Sequence, residues 1–145
     1  MDNQQQNPQI KVVQPQSARP VQQGLPYFFG VSADSVGSTG LSMHLVEIPP
    51  AGAPGARAQA HLHRGFETAI YVLAGRVQTH YGQGLRQSVI NEAGSFLFIP
   101  PDVPHQPVNL SATQPALAVV ARNHASEQED VVCLLTDGTS PNETL

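Results

Sequence analysis

Proline and glycine punctuate this chain at the spacing of short β-strands. Pro49-Pro50 closes one β-prone run and Ala74-Gly75 another. Gly82-Gln83-Gly84, Asn91 to Gly94 and Pro100-Pro101 close three more. Thirteen prolines and twelve glycines in 145 residues leave room for many turns and strands but not for long helices. The runs between them have β propensity. Tyr27 to Val31, Leu41 to Ile48, Glu67 to Leu73, Arg76 to Tyr81, Arg86 to Ile90, Ser95 to Ile99, Ala116 to Arg122 and Val131 to Leu135 read as strands. The expectation is an all-β chain with a single core.

The chemistry-bearing stretch lies between two of those strands. Ala60-His61-Leu62-His63-Arg64-Gly65-Phe66-Glu67 carries two imidazoles two residues apart, which share one face of an extended strand. Gly65 allows a bend, so that Glu67 can return to that face. Neutral imidazoles with a carboxylate suit a divalent transition metal such as Fe, Mn, Ni, Cu, Co or Zn. A His-x-His pair alone is common on a solvated strand. A second stretch, Gly94 to Asn109, adds His105 between Pro104 and Pro107, and two fixed φ angles preorganise that side chain. Gln59 shares the strand phase of His61 and His63, and Tyr71 that of Glu67. Both are candidate pocket residues. His44, His80 and His124 sit in polar or ambiguous settings and read as ordinary histidines.

These two stretches resemble the motifs of the cupin superfamily. The first motif, G-x5-H-x-H-x3/4-E-x6-G, is met by Gly55, His61, His63, Glu67 and Gly75, with seven residues rather than six before the last glycine. Thr68, the alternative at that spacing, is a poor ligand, so Glu67 is the expected one. The second motif, G-x5-P-x-G-x2-H-x3-N, is met by Gly94, Pro100, His105 and Asn109, with Asp102 where glycine is usual. The resemblance implies a double-stranded β-helix, the jelly-roll barrel of cupins. It also implies one divalent metal on His61, His63, Glu67 and His105. The expected layout is an N-terminal flexible arm over 1–23, a barrel over 24–135 and a polar tail over 136–145. In cupins such an arm often pairs with a second subunit, which implies a homodimer.

Charge and composition exclude several function classes. Net charge is −4 with Lys11 the one lysine, so no basic surface exists for nucleic acid. No run approaches a membrane span, and the N-terminus lacks the layout of a signal peptide. A soluble cytoplasmic protein acting on a small molecule is expected. Cys133 has no partner for an internal disulfide and sits in an apolar run, as a small core side chain does. There is no Ser-His-Asp set, P-loop or dinucleotide fingerprint. Three functions stay open: a dioxygenase-like metalloenzyme, a non-redox metal-dependent isomerase, lyase or hydrolase, and a non-catalytic small-molecule binding or sensor domain.

Overall fold

The computed structural model describes residues 7–15, 17–53, 58–126 and 131–134. Gly55 of the first motif, residues 127–130 and the tail over 136–145 lie outside them.

Eleven strands are described, and every pairing is antiparallel. They are β1 (Arg19–Pro20), β2 (Pro26–Val31), β3 (Ser42–Ile48), β4 (His61–His63), β5 (Thr68–Ala74), β6 (Arg76–Tyr81), β7 (Gln87–Glu92), β8 (Phe96–Ile99), β9 (His105–Asn109), β10 (Ala116–Arg122) and β11 (Val131–Cys133). One sheet runs β1-β2-β3-β10-β5-β8 and the other β11-β4-β9-β6-β7. This is the double-stranded β-helix, with the core between the two sheets. A single helical turn, α1 (Ala33–Val36), is capped by Ser32 and ended by Gly37 in the left-handed region. No helix among the described residues is long and apolar enough to cross a membrane.

Alternation decides which side chains enter the core. On β10, Ala116, Ala118, Val120 and Arg122 are buried, and the residues between them are half-buried. On β5 the inward set is Thr68, Ile70 and Val72. Glu67 and Tyr71, expected to face inward, therefore face the other way, with Ala69 and Leu73. A shift of one residue reverses the face of a strand.

Two further corrections concern the N-terminal region. Ile10 and Val12 are exposed and lie outside any strand, although Ile10 to Val13 has the composition of one short strand. The arm expected over 1–23 joins the barrel at its end. Arg19–Pro20 pairs with β2, and Val21, Gln23, Leu25 and Tyr27 are buried at alternate positions.

Two motif residues act as fasteners. Gly75 has φ +90°, and a Cβ there would lie 2.8 Å from that of Ala116. Glycine is therefore demanded by both backbone and space at the β5–β6 turn. Asn109 is buried; its amide donates to the carbonyls of Ile48 and Gln114 at 2.9 and 2.8 Å, and its Oδ1 accepts from the Ser111 N–H. Its side chain thus ties β9 to the end of β3 and to the loop before β10.

Candidate metal centre

Two adjacent strands bring the imidazoles together. His61 on β4 lies opposite His105 on β9, and His63 follows on the same face two residues along. All three rings are buried. Ring centroids are 4.3 Å apart for His61 and His105, 5.0 Å for His61 and His63, and 5.6 Å for His63 and His105. One nitrogen from each ring lies within 4.8 Å of the others.

The backbone sets the direction of two of these rings. His61 Nδ1 lies 2.7 Å from the Gln59 carbonyl and His105 Nδ1 lies 2.8 Å from the Val103 carbonyl. A carbonyl only accepts, so each Nδ1 carries the proton and each Nε2 keeps its lone pair. This is the arrangement that orients imidazoles for a metal. The buried ring of Phe66 packs on His63, centroids 5.2 Å apart.

Burial is the main force holding the three imidazoles neutral. It lowers the pKa of His61 well below the ordinary value, helped by the charge of His105 and opposed by the Gln59 carbonyl. It lowers that of His63 as well, with the nearby Arg122 guanidinium as the next cause. His105 is pushed down to about 4, again by burial first. Neutral imidazole is the form that ligates a metal, so the donor set fits a divalent transition ion.

Glu67 does not join the three histidines. Its side chain is exposed and lines a surface groove with Met43 and Phe98, while its N–H donates to Asn123 Oδ1 at 2.8 Å. The bend at Gly65, φ +77°, carries the chain one residue further than expected. Thr68 takes the inward place, buried, with no partner for its hydroxyl. Gln59 points outward and contributes its carbonyl alone. Tyr71 stacks on Phe96 on the outside of the sheet, centroids 4.7 Å apart. Asp102 replaces the usual glycine by adopting φ +65° itself, which aspartate tolerates better than most residues. It also accepts from the Gly65 N–H at 3.1 Å and donates its own N–H to the His63 carbonyl at 2.9 Å. The two motifs are tied together there.

A model of the cupin domain matches residues 51–122, the segment that carries all three histidines. The chain belongs to the cupin superfamily. No curated protein is similar enough in sequence to count as a relative. Among solved structures, this cupin is similar to the oxalate decarboxylase of Lactobacillus farciminis, with TM-score 0.64, 16% identity, and 81% of this chain and 33% of that one covered. It is also similar to the oxalate decarboxylase of Bacillus subtilis, which has Mn(II) centres (TM-score 0.63, 12% identity, 86% and 30% covered). A third is an uncharacterized protein with a double-stranded β-helix domain from Klebsiella pneumoniae (TM-score 0.58, 15% identity, 76% and 85% covered). The cupin spans about a third of the length of either decarboxylase. At these identities the likeness is one of fold.

The centre opens on a cavity of about 50 Å³ between the sheets, lined by His61 and His105 with Gln23, Thr68, Val72 and Arg122 among others. A cleft of about 250 Å³ shares Thr79, Leu97, Ile99 and His105 with that lining, and continues outward past Tyr81 and Val103. Arg122 is the residue the motif reading does not reach. It is buried, and its Nη2 donates to the Tyr27 hydroxyl at 3.1 Å and lies 3.3 Å from His63 Nε2. Its signal in the sequence is its phase, since it continues the inward series Ala118, Val120. Cys133 is half-buried, and burial raises its thiol pKa, as suits an inert side chain. His44 accepts the Gly30 N–H at 2.9 Å and packs on Phe29, away from the cavity.

Proposed function

We propose that this cupin is a small metalloenzyme of dioxygenase or oxidoreductase type, acting on a small organic substrate. The observation that carries this reading is the convergence of His61, His63 and His105, buried and neutral, at a cavity. A divalent transition metal held there supplies Lewis acidity and, if redox-active, electron transfer to dioxygen. The three histidines leave positions free for substrate, as a working site needs.

The remaining lining favours redox over proton-transfer chemistry. Among the described residues it contains no Asp, Glu, Lys or Cys. An isomerase, lyase or hydrolase needs a group that takes or gives a proton; with the three imidazoles committed as ligands, the Tyr27 phenol, which accepts from Arg122, is the one candidate for that part in the described lining. Val72, Val77, Ile99 and Val120 line the cavity and exclude water from it. His61 and His105 stay aimed because their Nδ1–H groups are held by backbone carbonyls. Protein purified without added metal is expected to carry Fe, Mn, Ni, Cu or Co by elemental analysis, and to consume dioxygen with an enol or phenol-like substrate. Zinc alone with no oxygen uptake overturns the redox reading in favour of a non-redox enzyme or a binding domain.

The outer face of the six-stranded sheet supports the homodimer. Phe96 and Phe98 on β8 are 80% and 60% exposed, and Leu73 and Met43 are 46% and 47% exposed. Tyr71 and Ala69 lie opposite Phe96 and Phe98, so these side chains share one apolar surface. Such a patch on a monomer marks an interface, and a two-fold contact buries it on both copies at once. Light scattering is expected to give a dimer for the native chain and a monomer for Phe96→Glu. A native monomer at micromolar concentration removes this reading.

A further inference from the structure

We infer that the metal centre is completed by a small carboxylate anion from solution, gripped by Arg122. This rests on the metal reading above and names the class of ligand or substrate that the site takes.

Charge is the first ground. Three neutral imidazoles and one guanidinium make the inner cavity cationic before any metal binds. Among the described residues no Asp or Glu lines it, because Glu67 faces outward and Thr68 stands in the inward place. A divalent ion would add to that charge in a place shielded from water, where like charges repel most strongly. An anion beside both cations removes the imbalance.

Hydrogen bonding is the second. Arg122 is 5% exposed, yet its Nε and Nη1 have no partner among the described residues. Its Nη2 has the Tyr27 hydroxyl and the one lone pair of neutral His63. A metal ligated through His63 Nε2 would take that lone pair and leave Arg122 with Tyr27 alone. Buried guanidinium donors without acceptors are costly. The Nη2 hydrogen so released and the donor beside it, Nε–H or Nη1–H, form a planar fork that matches the two oxygens of a carboxylate.

Space is the third. A cavity of about 50 Å³ holds a few water-sized groups, which suits formate, acetate or the carboxylate end of a longer molecule. The apolar cleft that adjoins it at His105 accommodates the rest of such a molecule.

Calorimetric titration of metal-free protein with Mn(II) tests this, in the presence of formate or of its neutral isostere formamide. Formate is expected to tighten Mn(II) binding at least tenfold, and formamide not at all. The variant Arg122→Met is expected to bind Mn(II) without formate at least as tightly as the native chain, and to lose the formate effect. Arg122→Lys is expected to keep part of it. Mn(II) binding that is equal in formate and formamide overturns the inference while leaving the metal reading intact. So does a full formate effect in folded Arg122→Met. A native chain that binds no divalent transition ion, with Co(II) and Zn(II) titrated in the same two conditions, overturns the metal reading and this inference with it. The native comparison needs no variant, so a failure of Arg122→Met to fold leaves the test decisive.

Discussion

Alanine at His61 or His105 is expected to lower metal affinity by roughly 100-fold or more, since loss of even an outer partner of a ligand costs about 10–100-fold. The two rings lie opposite one another on neighbouring strands, each with its Nδ1–H donated to a carbonyl and its Nε2 free. Removing either leaves two nitrogens, too few to hold an ion against water. Glu67→Ala is the informative contrast. Its side chain is exposed and away from the three rings, so that variant is expected to bind metal within about threefold of the native chain, as surface substitutions usually perturb little. Elemental analysis after loading and desalting, with a circular dichroism check of folding, reads both. Full occupancy in His61→Ala or His105→Ala removes that residue from the ligand set. A loss in Glu67→Ala as large as in the histidine variants restores the carboxylate.

The contrast between Glu67 and Thr68 shows where the sequence stops being legible. Strand existence and approximate limits followed from turn residues; β6 and β10 have the ends expected of them. Local pattern could not tell which of two adjacent residues points inward on β5. That depends on how many residues the turn at Gly65 consumes, and the apolar run Ala69 to Ala74 has no polar alternation to mark its faces. The spacing back from Gly75 held the one clue, since six residues before it place Thr68 at the inward position. Chemical preference for a carboxylate argued against it, and backbone geometry prevailed.

The β9 strand was hidden for a different reason. Pro104 and Pro107 read as a turn, yet Pro107 lies inside a strand opposite Thr79. The Leu110 N–H bonds to the Arg76 carbonyl, and the Gly82 N–H to the Pro104 carbonyl. Even-numbered residues of β9 therefore face β6, and the nitrogen of Pro107 faces the β4 side. There the ladder consists of a single pair, His61 with His105, so the missing donor costs no ladder bond. Arg122 escaped notice because an arginine at a strand end usually reaches solvent. Only the packing of both sheets shows that this one does not.

Acid is expected to destabilise the metal-free protein well before its carboxylates are protonated. His105 has its pKa pushed down to about 4 in the folded chain, from an ordinary value of 6.5. The unfolded chain thus binds a proton that the folded chain refuses. By linkage, stability from this group is whole above about pH 6.5 and falls as the pH drops from there toward about 4. At pH 5 the loss from His105 alone is on the order of 2 kcal/mol. His61 and His63 are lowered in the same direction by the same cause, burial, and deepen the fall. Against a total stability of about 5–15 kcal/mol, this is a large fraction. Chelator-treated protein is therefore expected to melt at least several degrees lower at pH 5 than at pH 7.5. An unchanged melting temperature would mean that the three imidazoles accept protons as freely in the fold as out of it, which rings buried this deeply cannot do while the two sheets stay closed around them.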